Sequence, residues 1–202
     1  MVLNWYGLTT FRLQENGLAM LFDPADEKSG LKIPRMQNDI TLFSHPSGFR
    51  KDSSFVINSP GEYEIKGAFI YGIPTNGEVG TDKIIYLIEI NGVRLAHLGS
   101  LKQSKLSPGQ LEKLEGVDIL LLPVGGGEAL TAKQATEVIS QLEPRVVVPM
   151  NYKTPGVKVK LDGLEAFKKE IGVKFESVDK LKISQKDLPE EETRFVVIEP
   201  SQ

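Results

Sequence analysis

The chain has 202 residues, with 24 Lys and Arg against 27 Asp and Glu for a net charge of −3. That length suits one large domain with a substantial core, and a near-neutral balance without a basic block speaks against a nucleic-acid surface. The lack of cysteine excludes disulfides and thiolate metal sites. No apolar run approaches the roughly 20 residues of a membrane span. The start "MVLNWYGLTTFRL" lacks the basic region and long apolar run of a signal peptide. The expectation is a cytoplasmic protein with no membrane segment.

The first half reads as short strands at 3–7, 9–14, 18–23, 40–43, 55–57, 67–74, 83–90 and 93–99, divided by glycines and polar turns. Asn91-Gly92 suits a two-residue hairpin, because a type I′ turn needs positive φ at both positions. "PGEY" (60–63) reads as a turn into a strand. The period then changes. Ser107-Pro108 opens a helix, with Ser as N-cap and Pro at the first helical position, and Gly116 stops it. The apolar segment 117–123 reads as a buried strand. Thr131 caps a helix that aligns Ala132, Ala135, Val138, Ile139 and Leu142 on one face, the 3.6-residue period. Pro144 ends it; 146–150 is a β-branched buried strand and 162–171 a last helix. Segments 180–184 and 194–198 read as a closing strand pair around an acidic turn. Two facing sheets covered by helices absorb this order in one domain spanning 1–202. The fold class expected is α/β (α+β), a four-layer αββα sandwich.

In "DITLFSHPSGFRK", His45 falls just past a strand end, where a loop could carry further ligands. With "NWYGLTTFRLQ", "LFDP", "NSPGEYEIKG", "LAHLGS", "VDILLLPVGGG" and "EPRVVVPMNY", in that order, the chain resembles the metallo-β-lactamase-fold hydrolases. It looks most like their small bacterial branch of L-ascorbate-6-phosphate lactonase-like proteins. The resemblance runs from Val2 to about Ile198. It implies a two-metal site built from a His-x-His-x-Asp-His loop, a later His, an Asp after "HLG" and a His before the Tyr of "PM-x-Y".

Checked position by position, His45 alone keeps its ligand type. Ser47, Phe49 and Arg50 stand where the loop would carry His, Asp and His. The later His falls near Asn76 or Gly77, Ser100 replaces the Asp, and Asn151 replaces the last His. Ser and Asn oxygens are weak zinc ligands, and a guanidinium stays protonated. A +1 charge about 4 Å from a +2 ion is repelled by roughly 8 kcal/mol at an effective dielectric of ~20. The leading expectation is therefore a non-catalytic or altered homologue with a degenerate metal site and no metal cofactor. It would keep a cleft lined by His45, Ser47, Phe49, Arg50, Ser100 and Asn151, with Asp23 and His97 behind it. Arg50 would let that cleft take a small anionic ligand. The alternative is a metal-dependent hydrolase of lactonase or phosphoester type, with one zinc or other divalent ion around His45 and perhaps Asp23. A Ser-His pair drawn from Ser47 or Ser100 with His45 or His97 is a further option. "PVGGGEALT" (123–131) precedes a helix but lacks the Lys-Ser/Thr of a P-loop. The resemblance also leaves homo-oligomers open; neither nucleic acid nor membrane is an expected partner.

Overall fold

The structure, a computed structural model, describes residues 1–45, 55–75 and 83–201. The strands are β1 (Val2–Trp5), β2 (Phe11–Glu15), β3 (Leu18–Phe22), β4 (Ile40–Leu42), β5 (Phe55–Ile57), β6 (Gly61–Ile65), β7 (Ala68–Pro74), β8 (Ile84–Ile90) and β9 (Val93–His97). Helix α1 (Pro108–Leu114), β10 (Ile119–Pro123), α2 (Ala132–Leu142), β11 (Val146–Met150) and α3 (Leu164–Ile171) follow. The last strands are β12 (Glu176–Val178), β13 (Leu181–Lys182) and β14 (Arg194–Ile198). They form a six-stranded sheet, β13-β1-β2-β3-β4-β5, and an eight-stranded sheet, β12-β14-β11-β10-β9-β8-β7-β6. This is the two-sheet mixed fold expected from the sequence.

Local chemistry accounts for the elements. In α1 and α2 the N-cap hydroxyls of Ser107 and Thr131 accept from the backbone N–H of Gln110 and Gln134. Those glutamine side chains in turn accept from the cap N–H, a reciprocal box that satisfies two otherwise orphaned donors. The Asn91-Gly92 turn has φ of 50° and 72°, as its hairpin demands. Strands β10 and β11 are buried at every position, which is why they read as continuous apolar runs; parallel strands linked by crossover helices are covered on both faces. The sheets meet through one apolar core, crossed by a polar tie: the buried Tyr86 hydroxyl of β8 lies 3.0 Å from both the Phe43 and Ile57 carbonyls of the other sheet.

One sequence expectation needs correction, and one strand escapes the sequence reading. The terminal segments are not a strand pair: β13 pairs antiparallel with β1, whereas β14 pairs parallel with β11 and β12 in the other sheet. Each joins a different sheet, β13 at an edge and β14 between β12 and β11, a choice that local alternation does not encode. Strand β12, too polar to read as a strand, exists through its pairing with β14. "PGEY" leads into a strand as read, since β6 begins at Gly61 and forms the sheet edge on β7.

Candidate functional site

The ends of β3, β4, β9 and β11 converge on one carboxylate. Asp23 follows β3 in a left-handed conformation (φ 41°) and is 2% exposed. Its Oδ1 accepts from the Ser44 N–H at 2.6 Å and its Oδ2 from the Ser44 hydroxyl at 2.5 Å. Thr10 Oγ1 donates to the Asp23 carbonyl at 2.6 Å, and the Asp23 N–H donates to the Leu42 carbonyl. Ser44 is gripped as well, its carbonyl accepting from Ile84 N–H. Gly99 (φ 55°) lies so close that a Cβ would come within 2.3 Å of Ser44 Oγ. The glycine of "HLGS" is therefore required by both its backbone angle and this approach.

His97, at the end of β9, is fully buried. Its Nε2 lies 2.8 Å from the Thr9 carbonyl and must donate; its Nδ1 accepts from the Gly99 N–H at 3.2 Å. These partners define a neutral ring protonated on Nε2. Burial holds its pKa below the usual histidine value against the opposing pull of Asp23. Its Nε2 is 4.0 Å from Asp23 Oδ2, but a neutral ring makes no ion pair. Phe22 stacks on it at 4.9 Å and Phe11 meets it edge-on. His97 orients the Gly99 turn through the bond at its Nδ1. It cannot serve Ser100 as a base, because both nitrogens are engaged.

His45 differs. Its Nδ1 is buried and, among the described residues, has no hydrogen-bond partner. Asp23 Oδ1 stands 3.6 Å away, beyond hydrogen-bond range. The imidazole faces a cavity of about 670 Å³, a size usual for small-molecule sites. Ser100 and Asn151 lie on the same cavity, Asn151 entering from β11 with φ 53° and its N–H bonded to the Leu8 carbonyl. A Cβ on Gly125 would come within 2.2 Å of the Asn151 carbonyl. The glycine run after β10 thus has a packing role beside Asn151. Of the expected site residues, His45, Ser100, Asn151 and Asp23 come together, with His97 beneath. Ser47, Phe49 and Arg50, like Asn76 and Gly77, lie outside the described residues.

Sequence reasoning missed Ser44, which positions the carboxylate, and the wall supplied by Val159 and Leu161. Ser44 could have been found from its place beside His45 at the strand end. The two aliphatics carry no local signal, because a long loop brings them to the cavity.

Does this donor set fit a metal? The family's two-ion centre does not fit the described residues: Ser100 and Asn151 are neutral, and both nitrogens of His97 are occupied. No group of three His, Cys, Asp or Glu side chains gathers for a metal among the described residues. One ion fits better. An unpartnered imidazole nitrogen beside a fixed carboxylate oxygen is a chemically suitable pair, and each Asp23 oxygen has lone-pair capacity beyond its bond to Ser44. Catalytic zinc usually takes three protein ligands, of which this pair would supply two.

Comparison with known proteins places this geometry in a family. Residues 2–151 match the family model described as Beta-lactamase superfamily domain. A UPF0173 metal-dependent hydrolase of Pyrococcus horikoshii is 30% identical over 157 residues, covering 74% of this chain and 67% of the relative. A UPF0173 protein of Pyrococcus abyssi is 24% identical over 195 residues, 83% of this chain and 89% of the relative. A crystal structure from Thermotoga maritima, described as a Zn-dependent hydrolase of the metallo-β-lactamase superfamily, superposes with a TM-score of 0.84 at 31% identity. It covers 98% of this chain and 97% of its own. These findings overturn the expectation of no metal cofactor, and they favour the metal-dependent alternative over a non-catalytic homologue. Residue types matched to a two-ion template, with the charge of Arg50, do not reveal that His45 Nδ1 stands without a partner among the described residues beside Asp23. The chain belongs to the metallo-β-lactamase superfamily.

Proposed function

We propose that this protein is a metal-dependent hydrolase that uses one divalent ion at His45 and Asp23 in place of a two-ion centre. The observation that carries this reading is the buried His45 Nδ1, without a partner among the described residues, at 3.6 Å from Asp23 Oδ1, on the wall of a ligand-sized cavity. A divalent ion there would supply Lewis acidity toward a carbonyl or phosphoryl oxygen. The chain's own groups do the rest. Ser44 fixes both oxygens of the carboxylate, so Asp23 presents its remaining lone pairs in one direction. Gly99 lets Ser44 sit close enough to do so. Asn151 and Ser100 place neutral hydrogen-bonding groups on the same wall, suited to orienting a polar substrate without competing for charge.

The test is elemental analysis of protein purified without chelator, in wild type and His45→Ala. The expected result is close to one equivalent of zinc, manganese or iron in wild type and its loss in the variant. Metal-free wild type, two equivalents, or full retention in His45→Ala would each refute the single-ion site.

A further inference from the structure

We infer that Lys83 is a positioning residue of the cavity: its ammonium locks together the two loops that carry Ser100 and Glu128, and so sets where Ser100 stands on the wall. The inference rests on the proposed function for the reaction that this wall serves. The lock itself needs neither metal nor turnover.

Lys83 immediately precedes β8 and is half-buried. Its Nζ donates to the Ser100 carbonyl at 2.6 Å and to the Glu128 carbonyl at 3.0 Å. Ser100 lies in the loop 98–107, between β9 and α1, and Glu128 in the loop 124–131, between β10 and α2. Both residues line the cavity, whereas Lys83 does not. Among the described residues no backbone hydrogen bond runs from one loop to the other. A second link, the Lys102–Glu128 pair at 3.5 Å, has both side chains largely exposed, and exposed pairs of that kind contribute little. A cation that donates to two carbonyls makes charge-assisted bonds, which are stronger than neutral ones. The half-buried ammonium is therefore the stronger tie.

The same stretch of chain reaches the carboxylate of the site. Ile84, the next residue, donates its N–H to the Ser44 carbonyl at 2.9 Å, and Ser44 holds both oxygens of Asp23. The Lys83 carbonyl accepts from the Thr75 N–H at 2.9 Å, which fixes the backbone from which the side chain springs. Two adjacent residues thus join Asp23, through a backbone bond, to the Ser100 and Glu128 loops, through a side chain. Burial lowers the Lys83 pKa; Glu128 opposes the fall and Lys102 adds to it. Keeping an ammonium where desolvation disfavours its charge has a cost, and the two charge-assisted bonds offset part of it.

The chain has no cysteine, so Lys83→Cys would carry a single thiol. Alkylation with bromoethylamine rebuilds a side chain of lysine's length that ends in an ammonium. Iodopropane builds one of the same length that ends in a methyl group. Hydrogen exchange followed by mass spectrometry compares both with wild type, on protein as purified. With the propyl arm, segments 98–107 and 124–131 should both exchange about ten-fold faster, the effect of losing charge-assisted bonds that hold a local opening closed. Strands β10 and β11 should exchange as in wild type. The aminoethyl arm should return both loops to wild-type rates. Lys83→Met, which needs no alkylation, should match the propyl arm. Unchanged loops, acceleration of one loop alone, or equal acceleration of β10 and β11 would each overturn the inference. So would loops that stay fast with the aminoethyl arm, or that recover equally with the propyl arm. Metal content of wild type is measured separately. Its absence would refute the single-ion site and leave the lock standing, and failure of the lock would leave that site untouched.

Discussion

Two histidines approach the same carboxylate, each at a different oxygen, and they are built for different work. His97 has a partner on each ring nitrogen, aromatic rings on its faces and no exposure. His45 is partly exposed, borders the cavity and keeps a buried nitrogen with no partner among the described residues. The lesson concerns satisfaction more than position. A buried polar atom with a full complement of hydrogen bonds holds structure together. One left open is either a cost or a place kept for something to bind.

The comparison can be broken most severely at His97. His97→Ala removes a packed ring and strands the Thr9 carbonyl and the Gly99 N–H; a loss of about 3–5 kcal/mol is expected, by analogy with deleting a buried aromatic side chain. Urea unfolding measures it. Ser44→Ala is the next largest, because it takes the hydroxyl donor from a buried carboxylate oxygen. About 1–3 kcal/mol should be lost, with the His45 side of the cavity disturbed through Asp23. A shift of the unfolding midpoint at constant slope would show it.

Acid sharpens the contrast further. The folded-state pKa of His97 is lowered by burial, so the unfolded chain takes up a proton near the ordinary histidine value while the native chain does not. The unfolded state then binds more protons, and stability is lost as pH falls below about 6.5. Urea midpoints at pH 8, 6 and 5 should fall in wild type, and fall less in His97→Gln, which has no ring to titrate. The smallest effect is expected at the other histidine. His45→Ala should change stability by no more than about 0.5 kcal/mol, as for a side chain outside the packed core, when both proteins are compared metal-free. A large loss would place His45 with His97 as a structural residue.

Much of the fold was legible because each element states its own period and punctuation. The capped helices, the Asn91-Gly92 hairpin and the all-apolar strands at 119–123 and 146–150 all appear where residue chemistry places them. Strand β12 and the pairing of β13 were not legible in that way. Strand β12 is polar and short, and β13 pairs with residues 178 positions away in the numbering, Leu3 opposite Leu181. Pairing over such distances is decided by which edge is free, and that is a property of the assembled sheets.

The site divides along the same line. From sequence alone, His45 stood out as the one retained ligand type, and Ser100 and Asn151 as neutral replacements. What tertiary structure decided was the state of each donor. It closed both nitrogens of His97, fixed Asp23 through Ser44, left His45 Nδ1 without a partner among the described residues, and brought Val159 and Leu161 across from a distant loop. Residue type determines what a side chain can bind. Whether it is free to do so depends on which partners the packed backbone brings within hydrogen-bonding reach, and here those partners come from strands far apart in the chain.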